Sequence, residues 1–261
     1  MSDLFSLKGR VALVTGGSRG IGRMIAAGFL KQGAARVYIS ARKAEACDAT
    51  AQELSALGTC ISLPADVSSV AGAQALAAEL SKRETQLDIL VNNAGAAWGA
   101  PYDEFPESGW DKVVDLNLKT PFFLTQALTP LLSAGASAAR PAKVINIASI
   151  DGIAVNPLET YPYAASKAGL IHLTKRMSLE LVKRHIVMSA IAPGAFASDM
   201  NRAARDRGDA VARHIPAQRI GEDDDMAGAA IFLASKAGDY VLGQTLVVDG
   251  GASIGNGTAV S

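Results

Sequence analysis

The sequence predicts an α/β fold whose parallel sheet is covered by helices on both faces. Three observations predict it. Seven short apolar runs alternate with helix-forming stretches along 261 residues, and runs that are apolar throughout read as strands buried on both sides. The first run passes directly into a glycine-rich turn and then a helix. Asp66, Asn92, Ser149 and Pro193 all fall at or just after the ends of such runs. That is the edge where open α/β sheets bind ligands.

The first strand, Val11 to Thr15, leads into TGGSRGIG (15–22) and a helix with Ile21, Ile25 and Phe29 on its apolar side. Glycines in the turn tolerate positive φ and let the backbone approach a phosphate. The helix start offers free N–H groups and a partial positive charge to a pyrophosphate. The spacing TGxxxGxG is a variant of the dinucleotide fingerprint. The second strand, Arg36 to Ser40, ends at Ala41-Arg42-Lys43. An acid usually holds the adenosine ribose 2′-OH at such a strand end. Here it is missing, and Arg42 with Arg19 of the glycine turn suits a 2′-phosphate, so NADP(H) is expected over NAD(H).

The third strand, Cys60 to Leu63, precedes Asp66-Val67, and the fourth, Ile89 to Asn92, opens NNAG (92–95). The fifth, Lys143 to Ile147, precedes Ser149, and the sixth, Val187 to Ile191, runs into IAPG (191–194). The seventh, Thr245 to Val248, runs into VVDGG (247–251). Between the last two, Ser198 to Pro216 interrupts the alternation before a helix starting near Glu222. This segment reads as a mobile substrate lid, with a plain surface helix pair as the alternative. Residues 1–254 read as one domain without repeats or a linker, and 255–261 as a flexible tail.

Tyr163 and Lys167 stand about one helical turn apart in YAASK, so phenol and ammonium share a helix face. A nearby ammonium lowers a phenol's pKa, and a phenol so tuned exchanges protons with a carbonyl or alcohol oxygen near neutral pH. A serine hydroxyl such as that of Ser149 can hydrogen-bond the same oxygen. Tyr-x-x-x-Lys pairs are common on exposed helices, so the glycine turn upstream gives this one its meaning. Tyr161 is a rival base, but the residue four along is Ala165, which cannot tune it. Pro162 suits a helix start.

The formal net charge is +0 and the pI about 6.8, so nothing points to nucleic acid or an anionic membrane surface. No apolar run is long enough for a membrane span, and MSDLFSLKGR lacks the apolar stretch of a secretory signal. Cys47 and Cys60 lack metal or redox spacing and are expected to be reduced, in a cytoplasmic protein. His172, His185 and His214 are scattered, and no metal site is expected.

The ordered set TGGSRGIG, Asp66-Val67, NNAG, Asn117 in VVDLNLK, Ser149, YAASK, IAPG and VVDGG resembles the short-chain dehydrogenase/reductase family over nearly the whole chain. ARKAEACDATAQELSALG, AGAAWGAP and ARPAKVINIAS resemble segments of its NADPH-dependent 3-oxoacyl reductases. Ser198 departs from the pattern, standing where many relatives carry Thr.

The resemblance implies a single-domain Rossmann fold, a doubly wound seven-stranded sheet of order 3-2-1-4-5-6-7. It also implies a homotetramer built on the helix after Asn117 and the helix of Tyr163, with Ala164, Ala168, Leu170 and Ile171 as loosely supporting small and apolar residues. It makes Tyr163 the acid/base and has Lys167 lower its pKa and hold the nicotinamide ribose. Ser149 would orient the substrate oxygen, and Asn117 would hold a water that resupplies protons.

Gly16, Ser18, Arg19, Gly20, Ile21 and Gly22 would cradle the cofactor, with Arg42 at the 2′-phosphate. Asp66 and Val67 would bind adenine, while Asn93, Ala94 and Gly95 pack on its ribose and the pyrophosphate. Pro193, Gly194, Phe196 and Ser198 would support the nicotinamide. Trp98, Asp151, Leu158, Tyr161, Phe196 and Met200 flank these motifs as pocket candidates, an apolar set suited to an acyl chain or bulky ketone. Arg202, Arg205, Arg207 and Arg213 would dock an acyl carrier protein or coenzyme A, unless with Asp199, Asp206 and Asp209 they form only a solvated mixed-charge face. The implied activity is NADPH-dependent reduction of a 3-oxoacyl thioester or similar ketone. An alcohol, polyol or steroid dehydrogenase is the enzyme alternative. A nucleotide sensor without chemistry is the other, and the full Asn117/Ser149/Tyr163/Lys167 set argues against it.

Overall fold

Seven parallel strands form one sheet in the order β3-β2-β1-β4-β5-β6-β7 in the computed structural model, which describes residues 4–255. They are β1 (Val11–Thr15), β2 (Arg36–Ser40), β3 (Cys60–Ser62), β4 (Ile89–Asn92), β5 (Ala142–Ile147), β6 (Ile186–Pro193) and β7 (Thr245–Val248). Each lies within a residue or two of its sequence-predicted run. The expected tail beyond Gly255 lies outside the described residues.

The helices are α1 (Gly20–Lys31), α2 (Ala44–Leu54), α3 (Val70–Ser81), α4 (Glu107–Val114), α5 (Thr120–Ala134), α6 (Tyr161–Leu181), α7 (Arg202–Asp206), α8 (Gly208–Ala212) and α9 (Asp223–Ala234). Side chains alternate between sheet faces, which splits the apolar runs into two cores. Ala12, Val14, Val37, Ile39, Ile89 and Val91 meet Ile25 and Phe29 of α1, Leu54 of α2 and Met226 of α9. Val11, Leu13, Tyr38, Leu90 and Val144 meet Leu76 and Leu80 of α3 and Leu124 and Leu128 of α5. On the first side α1 and α9 pack closely, because a Cβ at Gly28 would lie 2.5 Å from Ala227 Cβ.

The strand order reverses between β1 and β4, which opens a crevice at the carboxyl edge. A buried amide ladder sets the depth of α6 behind it. Asn92 of β4 donates to Asn146 of β5 at 2.9 Å and to Thr125 of α5 at 3.1 Å, and Asn146 donates to Thr174 of α6 at 2.8 Å. The Asn92 carbonyl oxygen has no partner, but the three donated bonds tie β4, β5, α5 and α6 into one arrangement.

The opposite edge is ionic. Asp88 is 3% exposed, accepts the Val11 N–H at 2.9 Å, and pairs with Arg10 at 3.2 Å and Arg140 at 3.0 Å. Lys143 of β5, 1% exposed, pairs with Asp239 at 2.7 Å. Burial pulls the Lys143 ammonium below its ordinary pKa, and Asp239 opposes that.

Candidate active site

The glycine turn is built by residues far along the chain. Gly16 has φ +63, and a Cβ there would lie 2.8 Å from Asn93 Nδ2; at Gly22 it would lie 2.4 Å from the Gly16 carbonyl. Asn93 donates from Nδ2 to the carbonyls of Thr15 at 2.8 Å and Gly16 at 3.1 Å. Its amide is therefore a brace for the turn, with no donor left for the ribose it is expected to contact. The Thr15 hydroxyl accepts the N–H groups of Asn93 and Ala94, each at 3.0 Å, and donates to the Val91 carbonyl. Sequence reasoning missed this role of Thr15; its signal was only a hydroxyl at a strand end.

Arg19 is the extended N-cap of α1 and makes no side-chain cap, so the first-turn N–H groups of α1 face the crevice. Ser18 gives its carbonyl to Thr50 at 2.9 Å, and Ile21 packs against the core. Asp66 accepts the Ser68 N–H at 2.9 Å, and this bond, with the charge of nearby Arg42, holds its carboxyl below the usual range. Arg42 thus stands beside Asp66 at the expected adenosine end. Val67 is buried beneath it.

The Arg19 guanidinium reaches the segment after β6. Its Nη1 pairs with Asp199 Oδ2 at 2.6 Å, because the chain after β6 crosses over the turn. A Cβ at Gly20 would lie 3.2 Å from Ser198 Cβ.

Ser149, Tyr163, Lys167 and Asn117 converge although they come from three regions of the chain. After Ser149 the backbone makes a 3-10 turn, Ile150–Gly152, that touches α6. A Cβ at Gly152 would lie 2.7 Å from the Lys167 carbonyl carbon, so only glycine allows this approach. Lys167, 5% exposed, donates from Nζ to the Ile147 carbonyl at 2.7 Å and lies 5.5 Å from the Tyr163 ring centroid. Ser149 Oγ accepts the Asp151 N–H at 3.1 Å, so its own proton can be given to the Tyr163 oxygen or to a substrate oxygen.

The electrostatics correct one expectation. Burial pushes the Tyr163 phenol up to about 12; the nearby Ser149 hydroxyl draws it down and Asp151 pushes it up further. Burial also brings the Lys167 ammonium down to about 8, with Asp151 opposing. Burial outweighs whatever the Lys167 ammonium, which lies over the ring and is bound to the Ile147 carbonyl, contributes toward the phenolate.

Asn117 sits in a π-helical turn, Asp115–Lys119, a feature frequent at functional sites. Its side chain donates to the Ala96 carbonyl at 2.9 Å and to Ser166 at 3.1 Å, and accepts the Ala96 N–H at 2.8 Å. Both amide donors are committed, so the side chain locks the NNAG strip to α6. Gly95 lies in that strip, where a Cβ would be 3.8 Å from Lys167 Nζ.

The pocket candidates divide. Phe196, 2% exposed, is buried with its ring against Gly221 and belongs to the core. Pro193 ends β6, and Gly194 just after it is tight against Asp249. Trp98 is held against Gly109 with Lys112 5.0 Å over its ring. Tyr161 stacks edge-on with Tyr102 and Phe105. Leu158 and Met200 are exposed, as are Ile153, Val155 and Tyr102. Among the described residues no His/Cys/Asp/Glu cluster could hold a metal ion.

The family model described as "Enoyl-(Acyl carrier protein) reductase" matches residues 16–253. The chain is 50% identical, over 96% of its length and 99% of the relative's, to the rhamnolipids biosynthesis 3-oxoacyl-[acyl-carrier-protein] reductase of Pseudomonas aeruginosa. It is 36% identical, over 96% of its length and 98% of the relative's, to the 5-keto-D-gluconate 5-reductase of Escherichia coli K12. The solved RhlG/NADP active-site complex of Pseudomonas aeruginosa superposes with a TM-score of 0.94 at 49% identity, covering 97% of this chain and 100% of that one. The motifs, the sheet order and these likenesses agree: the chain belongs to the short-chain dehydrogenase/reductase family.

Proposed function

We propose that this protein is an NADPH-dependent ketoreductase acting on 3-oxoacyl thioesters or similar ketones. The observation that carries the reading is the convergence of the half-buried Tyr163 phenol with the buried Ser149 hydroxyl and the buried Lys167 ammonium 5.5 Å from its ring centroid. The residues present fit a phosphorylated dinucleotide. The turn at Gly16 and Gly22 has no room for a Cβ, the α1 start has no side-chain cap, and β2 is followed by Arg42 rather than an acid.

Held by the glycine turn, the α1 start and Arg42, NADPH would supply the hydride for the carbonyl carbon. Ser149 donates a hydrogen bond to the carbonyl oxygen and orients it. Tyr163 Oη gives its proton to that oxygen as negative charge develops there, and an alkoxide is the stronger base, so a phenol pushed up to about 12 is a competent acid. Lys167 stabilises the phenolate left behind and offers its remaining N–H groups to the nicotinamide ribose. Asn117 fixes the strip of Gly95 and Ala96 against α6, and any proton-relay water is held through backbone rather than its amide.

Exposed Ile153, Val155, Leu158 and Met200, with Tyr102, offer an apolar rim suited to an acyl chain. Exposed Arg202, Arg207 and Arg213 suit the phosphates of a carrier protein or coenzyme A, whereas Arg205 is occupied by Asp199 and Asp206. Two buried free cysteines agree with a cytoplasmic setting. The same reading includes a homotetramer, with exposed Ala165 and Ala168 on the outer face of α6; Leu170, 1% exposed, belongs to the interior instead. A turnover panel of 3-oxoacyl thioesters, steroids, keto sugar acids and cyclic ketones tests the substrate class. Highest kcat/KM with the thioesters is expected, and tenfold faster turnover of a sugar acid refutes it.

A further inference from the structure

Asp199 joins two parts of the molecule that the reaction treats separately. Its Oδ2 pairs with Arg19 of the glycine turn, and its Oδ1 pairs with Arg205 of α7, each at 2.6 Å. The two ends are not equivalent. Arg205 is anchored within its own helix by Asp206 at 2.7 Å, and its Nη1 remains a partner for Asp199 when Arg19 leaves. Among the described residues Asp199 is the sole side-chain partner of the Arg19 guanidinium. The pair is open to water, with Arg19 71% and Asp199 48% exposed. Such pairs are weak, and a phosphate dianion binds a guanidinium more strongly than one carboxylate does.

We infer that Asp199 is a specificity-determining residue that competes with the cofactor's 2′-phosphate for Arg19. The inference rests on the NADPH reading above. A 2′-phosphate draws Arg19 away, Asp199 stays on Arg205, and the tie between the glycine turn and the segment after β6 opens. NAD(H) has no such phosphate and leaves the tie closed. The chain therefore pays a penalty on NADP(H) binding that it does not pay on NAD(H), and cofactor identity reaches the Ser198–Asp206 segment through one arginine.

The test is a binding titration of the full-length apoenzyme with NADPH and NADH, followed by nicotinamide fluorescence. Asp199→Asn removes the competitor's charge. It should tighten NADPH about two- to fivefold and leave NADH unchanged, the range expected for an exposed pair. In an Arg19→Ala background the same substitution should have no effect on NADPH. Hydrogen exchange gives a second readout: 2′,5′-ADP should speed exchange at 198–206, and 5′-AMP should not. Weaker NADPH binding by Asp199→Asn overturns the inference, because Asp199 then positions Arg19. An equal change for both cofactors also overturns it, because Asp199 is then a general clasp, and so does no change for either. Equal affinity of the wild-type protein for NADPH and NADH defeats the NADPH reading itself, and this inference with it.

Discussion

Tyr163 keeps its proton because burial disfavours the phenolate, and Lys167 sheds its proton early for the same reason acting on an ammonium. Tyr163→Phe removes the transferable proton and little volume. It should lower kcat by about 10²–10⁴ and leave NADPH binding within about twofold, read by single turnover and fluorescence titration. The two groups also set a pH profile. Tyr163, at about 12, stays protonated through the working range, so its proton is always available for reduction. Lys167 loses its charge above about 8, and with it the stabilisation of the phenolate. Reductive kcat/KM should be flat below pH 8 and fall above it.

Stability runs the other way. The folded pKa of Lys167 is lowered from 10.5, so between about pH 8 and 10.5 the unfolded chain binds the proton that the folded chain does not. The contribution of this group to stability therefore rises over the window in which activity falls. Urea melts at pH 7.5 and 9.5 on wild type and Lys167→Met separate it from other titrations. The identities of Ser149, Tyr163 and Lys167 were legible in the sequence because spacing on a helix and order along strands are local facts. The state of the phenol was not, because it is set first by burial, which exists only after folding.

At the level of elements, the strands were legible because both sheet faces are covered, which leaves continuous apolar runs. The uses of Asn93 and Asn117 were less so, since an amide that braces a turn and one that touches a ligand look alike in sequence. The burial of the Phe196 ring was not legible either, because it depends on a glycine far along the chain, Gly221, leaving room for it. The contact of α1 with α9 gives the sharpest element-scale prediction. Gly28→Val places a branched side chain where a Cβ alone is 2.5 Å from Ala227 Cβ. Overpacking costs about 1–3 kcal/mol, more than the few tenths gained in helix propensity. Tm should fall by about 2–4 °C per kcal/mol, and Ala227→Gly in the same chain should restore part of the loss.

For the molecule as a whole, a homotetramer predicts a light-scattering mass near four times 26.9 kDa at micromolar concentration. A monomer mass refutes it. The substitution Ala168→Arg, on the exposed face of α6, should lower the mass while leaving secondary structure intact by circular dichroism.

The strand order has one more consequence, which concerns time. β1 pairs with β2 on one side and β4 on the other, and Val11 reaches its Asp88 partner across 77 residues. A ribosome adding about 5–20 residues per second takes roughly 4–15 s to cover that distance. Through that interval β1 has one edge without a neighbour, and Ala12, Val14 and Leu13 lack half of their cover. An open, apolar edge is a template for another chain. Newborn copies are thus most prone to stick to one another before residue 88 has emerged, and slowing translation between codons 40 and 88 should lower soluble yield more than slowing it after codon 150.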